Sequence, residues 1–368
     1  MTGFYLDWNA TAPLRPQARA AMLAALDHVG NPSSIHAFGR RARRFVEDAR
    51  EQVAGLVGVN PADITFTGGG TEANNQALAL AAAHGRRILV GATEHASVLE
   101  AAPGAVVIPV DGDGLIDREA LARLLATDPT PALVSIQAVN SETGVVQPMV
   151  ELANLVHDQG GWLHSDAVQA VGRLPMDMGD WGADLLTLSA HKIGGPQGVG
   201  ALVAHPGIPL APLLKGGGQE RRMRAGTENV AGIAGFGAAA AAALEGLNDY
   251  AGLALLRDRL EAAVRDRHPP VLIPGAAAPR VANTSCIVLP GVPANGQLMA
   301  FDLARVAVSA GSACSSGKVK SSHVLRAMGL GEDLAGCAIR VSLGWNSTGD
   351  DIDRFLESWS RIAARAPR

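Results

Sequence analysis

The sequence predicts an α/β protein: a large domain on a mostly parallel seven-stranded sheet, followed by a smaller α/β domain. Three observations predict it. Short apolar runs alternate with helix-patterned segments through the first two thirds of the chain. Those runs are apolar on both faces, as strands of a parallel sheet covered by helices must be. Near Asn248 the pattern changes to a charged helix, "YAGLALLRDRLEAAVRDR", then to a few strands and a last helix. The length of 368 residues agrees, because a single hydrophobic core stops growing at about 250–300 residues.

The strands are read in order at "ITFT" (64–67), "RILVGA" (87–92), "AVVIPV" (105–110), "ALVSIQAV" (132–139), "GWLHSD" (161–166), "DLLTLSA" (184–190) and "GVGALVAH" (198–205). Helices are expected over Glu72–His84, Asp117–Ala126 and Met149–Gln159. "RRARR" (40–44) opens an amphipathic helix and reads as its solvated face. "DGDGLID" (111–117) lacks the spacing and final Glu of a calcium loop. It reads as a turn followed by an Asp117 helix cap. Val230–Leu244 is apolar but rich in Ala and Gly and too short to span a bilayer, so it is expected as a buried helix.

Bulk properties exclude several function classes. The net charge of −4 gives no electrostatic reason to expect nucleic acid or an anionic membrane as partner. The start, "MTGFYLDWNATAP", has neither the basic nor the apolar region of a signal peptide. Three widely spaced cysteines fit neither a disulfide framework nor a zinc site. A cytoplasmic location is expected. Cys286 and Cys337 sit among apolar residues and read as core. Only Cys314, within "SAGSACSSGKVKSSH" (309–323), has a context that predicts exposure.

In an open α/β sheet the ligand sits beyond the carboxyl ends of the strands, and the residues there are unusually polar. "GGGTEANN" (68–75) follows the first strand and offers amides and a helix N-terminus to an anion such as phosphate. A plain tight turn with Thr71 as helix cap explains it equally well. Lys192, in "LSAHKIGGPQGVG", follows an uncharged run. Partial desolvation there lowers a lysine's pKa and makes it a Schiff-base nucleophile, although a snorkelling surface lysine is the commoner case. The flanking Ser189 and His191 favour function. Asp166, with Gln169 three residues on, ends a strand where a buried carboxylate needs a cation or several donors. A pyridinium nitrogen would serve, and a helix cap is the plainer reading. His95 suits ring stacking, acid–base work or a structural role, and Asn140 is equally ambiguous. Together, a phosphate turn, an Asp at one strand end and a Lys at another are what a pyridoxal phosphate enzyme needs.

The motifs and their order resemble the cysteine desulfurases, in the class V aminotransferase group of fold-type I pyridoxal phosphate enzymes. The likeness runs nearly end to end: "YLDWNATAP", "GNPSSIHAFG", "FTGGGTEANN", "TEHASV", "VNSETGVVQP", "HSDAVQAVG", "LSAHKIGGPQGVGAL", "GGGQERRMRAGTENV", "GSACSSG" and "AIRVSLG". It implies a large cofactor-binding domain over 15–247. A small domain over 1–14 and 248–368 would carry the cysteine loop. It implies that Lys192 binds pyridoxal 5'-phosphate, Asp166 pairs with the ring nitrogen, Gln169 contacts the ring hydroxyl and His95 stacks on the ring. Gly70, Thr71, Ser189 and His191 would hold the phosphate, and Thr227 would reach the phosphate of the second subunit in a homodimer. Asn140 would lie near ring and substrate, and Arg340 would clamp the carboxylate of L-cysteine.

The reaction so implied transfers the substrate sulfur to Cys314, with Lys192 and His95 moving protons. L-alanine leaves, and the persulfide passes to an acceptor protein such as an iron–sulfur scaffold. No metal of its own is expected, Cys314 being at most a transient ligand to a cluster shared with that scaffold. Four positions depart from the family pattern: Trp8, Ser141, Ser321 and Trp345. The competing readings are a selenocysteine lyase or other lyase of the group, a plain aminotransferase, and a cofactor-binding scaffold without chemistry.

Overall fold

The computed structural model describes residues 3–311, 321–364 and 366. Cys314, Lys318 and Lys320 lie outside the described residues. Eleven strands are described, β1 (Phe4–Tyr5), β2 (Ile64–Thr67), β3 (Arg87–Gly91), β4 (Val106–Ile108), β5 (Ala132–Ser135), β6 (Trp162–Asp166), β7 (Leu185–Ser189), β8 (Gly200–Ala204), β9 (Thr284–Val288), β10 (Val306–Ala307) and β11 (Ala338–Ser342). Seven of them form one sheet in the order β2-β8-β7-β6-β5-β3-β4. The pairs from β7 through β6, β5 and β3 to β4 are parallel, while β8 runs antiparallel to both β7 and β2. The predicted α/β class and mostly parallel sheet are thus present.

Six of the seven predicted strands are shorter than their quoted runs, and for two of them the structure gives the reason. At the sheet edge only Val106–Ile108 pairs, with β3 alone as neighbour, and Val106 and Val107 stay exposed. The run after β5 still donates to β6, from Ile136 to the His164 carbonyl and from Ala138 to that of Asp166, both at 3.0 Å. Its other edge leaves β3, because the Gln137 amide donates instead to the Glu94 carboxylate at 2.6 Å. A side chain there takes the place of the next strand residue.

Alternation along the strands gives the sheet two dry faces. Leu133, Leu185 and Leu202 pack on Ala73, Ala77 and Leu78 of the helix Gly70–Ala83. Val134, Leu186 and Val203 face the other way, toward the helices Ala37–Val57, Arg118–Thr127, Met149–His157 and Val230–Glu245. The last is the expected buried helix. A Cβ on its Gly237 would lie 2.5 Å from Cα of Ala49, so only glycine lets it approach Ala37–Val57 this closely. Arg43 and Arg44 pair with Glu47 and Asp48 on the exposed face of that helix, as predicted. Asp117 caps Arg118–Thr127, its carboxylate accepting from the Ala120 amide at 2.9 Å.

A further core gathers Leu6, Leu260, Ile287, Phe301, Ile339, Phe355 and Trp359. Here β9 and β11 pair antiparallel, and the helices Leu253–Arg267 and Gly349–Ala363 pack against them. Phe301 and Phe355 stack at 4.9 Å. The N-terminal strand joins this part of the molecule, since β1 pairs with β10 and Asp7 bridges to Ser342. The chain then crosses to the edge of the large sheet through Trp8–Ala10. Cys286 and Cys337 are buried free thiols, as predicted. Among the described residues no single helix is long and apolar enough to cross a membrane.

Candidate active site

The carboxyl ends of β2, β3, β5, β6 and β7 deliver five polar segments to one edge of the sheet. The Gly68–Gly70 turn follows β2. Gly69 has φ +149°, a conformation that side chains rarely adopt, and this tight entry starts the helix at Gly70. Thr71 therefore lies inside the first turn and is exposed, not the cap that the sequence reading allowed. First-turn amides have no partner within the helix and carry the positive end of its dipole. They border a cavity of about 830 Å³ with Gly70, Thr71, Ser189, His191 and Ala10 on its wall. The first four are the residues predicted to hold phosphate. Glu72 closes the turn from behind. Its carboxylate accepts from the Gly68 amide at 2.8 Å and pairs with Arg224 at 2.9 Å.

Lys192 ends a single 3-10 turn, Ala190–Lys192, directly after β7. Its ammonium donates to the carbonyls of Asn9 and Ala10, at 2.6 and 2.8 Å. Burial, and then the positive charges of Arg340 and Arg173, bring its pKa down to about 7, against the pull of Asp166 and Asp7. About half of it is then the neutral amine at neutral pH. His191 beside it is brought down to about 4, by burial and by Lys192, and its Nδ1 lies 3.1 Å from the Thr11 hydroxyl.

Asp166 ends β6 and is buried. One carboxylate oxygen accepts from the Val168 amide at 3.0 Å, the other from the Asn74 carboxamide at 2.8 Å. Asn74 also donates to the Ser97 hydroxyl at 2.8 Å. Ser97 in turn meets His95 Nδ1, by hydroxyl at 2.8 Å and by backbone amide at 3.1 Å. Because the backbone amide must donate, Nδ1 is the acceptor and a neutral His95 carries its proton on Nε2. The ring is exposed in the open cleft. Desolvation by the cleft walls still lowers its pKa, helped by Lys192 and His323 and opposed by Asp166.

Arg340, on β11, reaches this edge from the other core. It pairs with Asp7 at 2.7 Å and donates to the Ser141 carbonyl at 3.2 Å, while its Nε is buried without a partner. Gln169 donates to the Asn9 carbonyl at 3.0 Å, leaving its buried Oε1 without a partner. Asn140 is occupied with its own turn. Its Oδ1 accepts from the Glu142 and Thr143 amides, both at 2.9 Å, and its Nδ2 donates to the Thr93 carbonyl at 3.3 Å. Thr227 is exposed and borders a neighbouring pocket with Thr67, Gly68 and Gly198. Cys314 lies outside the described residues.

Sequence reasoning missed three residues. Asn9 is a hub: its carbonyl receives Lys192 and Gln169, its Oδ1 receives Arg173 and Asn283, and its Nδ2 donates to Ser141 and Thr284. Asn74 links Asp166 to His95. Glu94 is fully buried behind the cleft, where desolvation pushes its pKa well up and His323 meets its backbone carbonyl at 3.0 Å. The quoted "GGGTEANN" held Asn74 in view. Its place on the inner face, four residues after Gly70, was the available signal.

The described residues fit pyridoxal phosphate. A helix N-terminus with Ser189 and His191 suits the phosphate, buried Asp166 suits a cationic ring nitrogen, and Lys192 offers a partly neutral amine for the aldehyde. The unpartnered Gln169 Oε1 leaves a polar atom for the ring's substituents.

Comparison with known proteins agrees. The family "Aminotransferase class-V" matches residues 4–355. A cysteine desulfurase of Cereibacter sphaeroides is 46% identical over 97% of this chain and 95% of the relative. An IscS-like cysteine desulfurase of Mycobacterium tuberculosis is 40% identical over 99% and 97%. The solved structure of a NifS-like protein from Rickettsia africae superposes with a TM-score of 0.92 at 37% identity, covering 99% of this chain and all of that one. The chain therefore belongs to the cysteine desulfurases, pyridoxal-phosphate-dependent enzymes of the class-V aminotransferase family.

Proposed function

We propose that this enzyme converts L-cysteine to L-alanine and leaves the substrate sulfur on Cys314 as a persulfide. The observation that carries the reading is the placement of Lys192. A desolvated amine with a pKa of about 7 shares one sheet edge with a buried aspartate and a phosphate-type helix N-terminus. Bound pyridoxal phosphate supplies an electron sink for the substrate's α-carbon. Lys192 holds the aldehyde carbon and afterwards serves as the proton carrier. Its pKa lets it accept and release a proton near neutrality. His95, oriented through Ser97, keeps a proton on Nε2 for the second transfer. Asp166 keeps the ring nitrogen protonated, and Asn74 holds Asp166 in place. Arg340 binds the substrate carboxylate, with a buried Nε still open to an acceptor.

The sulfur step balances without an outside oxidant. The Cys314 sulfur bonds to the substrate sulfur as the substrate's C–S bond breaks. The carbon keeps that electron pair and takes a proton, so cysteine and an enzyme thiol become alanine and an enzyme persulfide. The sulfur then passes to an acceptor protein such as an iron–sulfur scaffold. The working unit is a homodimer in the cytoplasm, in which Thr227 reaches the partner's cofactor phosphate. Its exposure supports this role. So do the exposed apolar side chains Leu23, Leu26, Val29, Ile35 and Phe38. Residues 15–247 act as the cofactor-binding domain, and 1–14 with 248–368 as the small domain. The separate core around Leu260, Phe301 and Trp359 supports that division.

The test is Cys314→Ala assayed with L-cysteine and with L-selenocysteine. Loss of sulfur release and alanine formation from cysteine is expected. Full retention would overturn the persulfide step and favour a lyase that needs no thiol. Lys192→Ala should lose turnover with both substrates.

A further inference from the structure

Arg173 follows β6 in the segment "AVGRLP" and is 4% exposed. Its NH1 donates to Asn9 Oδ1 at 2.7 Å, and its Nε has no partner. Among the described residues no carboxylate pairs with it. A buried guanidinium without a counter-charge is costly, since its desolvation is not offset by an opposite charge. A purely structural role is therefore a poor account of it.

We propose that Arg173 is a positioning residue for Lys192, acting through Asn9. The two groups hold opposite ends of the same residue: Arg173 takes the Asn9 side chain, and the Lys192 ammonium takes the Asn9 carbonyl at 2.6 Å. Together with Asn283, which also donates to Asn9 Oδ1 at 3.0 Å, the guanidinium holds the residue whose carbonyl places the lysine nitrogen. Its charge also opposes protonation of that nitrogen. Arg340 and Arg173 oppose protonation of Lys192 and Asp166 and Asp7 favour it, while the nearby His191 and His95, both brought down by burial, are uncharged near neutrality. Arg340 is paired with Asp7, so much of its field is cancelled. Arg173 contributes less than Arg340 but has no carboxylate partner among the described residues to offset it. The inference rests on Lys192 being the amine that takes the cofactor aldehyde.

The experiment is a visible-absorbance pH titration of the cofactor-loaded full-length enzyme, whose band follows protonation of the Lys192 nitrogen, alongside thermal unfolding. Arg173→Met should raise the titration midpoint by about one pH unit while unfolding at or above the parent's temperature. Arg173→Lys, which keeps the charge, should return the midpoint to within about 0.3 of the parent. An unmoved midpoint in Arg173→Met overturns the proposal, and Arg173→Gln is read in the same way if the Met variant does not fold. If neither neutral variant folds, Arg173 is a structural prop and the proposal fails. Absence of any visible band in the parent overturns the cofactor assignment itself, whereas a band that does not move overturns only the role of Arg173.

Discussion

Trp8 meets Trp345 edge-on, with ring centroids 4.6 Å apart and planes at 78°. These are two of the four departures from the family pattern, and they are one contact. The Arg15 guanidinium lies 3.8 Å from the centre of the Trp345 ring, while its Nε donates to the Ile193 carbonyl. The stack thus joins the segment before Asn9, the segment after β11 and the residue after Lys192. Cation–π and edge-to-face contacts each contribute about 0.5–1.5 kcal/mol beyond area burial. A double-mutant cycle on Trp8→Ala and Trp345→Ala, read by denaturant unfolding, should return a coupling in that range. Additive effects would show that the rings act independently.

The stack also dictates Gly344. A Cβ there would lie 2.0 Å from the Trp8 ring, so Gly344→Ala must push the indole aside. A loss of about 1–3 kcal/mol in unfolding free energy is expected from this overpacking. Trp8→Asn combined with Gly344→Ala should recover most of it, since the smaller side chain reopens the space. No recovery in the double variant would place the cost elsewhere.

Asn74 carries the next prediction. It is the buried donor to Asp166 and to Ser97, so removing it leaves the carboxylate with one protein donor and His95 with an untethered hydroxyl. A hydrogen bond to a buried charge contributes about 1.5–3 kcal/mol, roughly a ten- to hundredfold change in an equilibrium constant. Asn74→Ala should weaken retention of pyridoxal phosphate by about that factor, measured by cofactor release on dilution. Unchanged retention would mean that Asp166 is held by its backbone contacts alone.

Much of this was legible in the sequence for a physical reason. Each apolar run ends where its polar group begins, as at Asp166 after "GWLHS" and Lys192 after "LLTLSAH", because strand ends and site coincide in an open α/β sheet. The direction of β8 was not legible, since "GVGALVAH" is buried on both faces and reads the same either way. Asn9 was not legible either. Its part is played by a backbone carbonyl that receives a lysine 183 residues away, and every residue has a carbonyl. Arg173 was not legible either, because nothing in "AVGRLP" announces that it is buried without a counter-charge.

Glu220 and Arg50 hold the segment that leads to Thr227. The two form a bidentate buried pair at 2.8 Å, and Glu220 also accepts from the Phe66 amide at 2.9 Å. Glu220, Arg221 and Arg222 all have positive φ, at 45°, 53° and 71°, a conformation unfavourable for side-chain-bearing residues. The ion pair helps to hold them there, together with the Arg221 guanidinium, which donates to the Ile64 carbonyl at 2.6 Å. Glu220→Ala leaves Arg50 buried with only the half-exposed Glu47 carboxylate, 3.1 Å from its Nε, as counter-charge, so a loss of up to about 3–5 kcal/mol is expected, measured by denaturant unfolding. Arg50→Met combined with Glu220→Leu should recover a large part of the loss. An equally unstable double variant would show that the backbone bond to Phe66 dominates.

His164 makes stability depend on acid. It lies at the centre of the sheet on β6, fully buried between the hydroxyls of Ser135 and Thr187, at 2.8 and 3.0 Å. Desolvation alone brings its pKa down to about 3, from 6.5 in the unfolded chain. The folded state therefore binds fewer protons than the unfolded one between those values. The stabilisation is complete above about pH 6.5 and is lost as pH falls toward 3, at about 1.4 kcal/mol per pH unit while both limits are distant. His191, brought down to about 4, acts in the same direction over a narrower window. Denaturant unfolding at several pH values between 6 and 4 should show this slope, and His164→Gln should flatten it by close to one proton. An equally steep slope in that variant would assign the acid sensitivity to other groups.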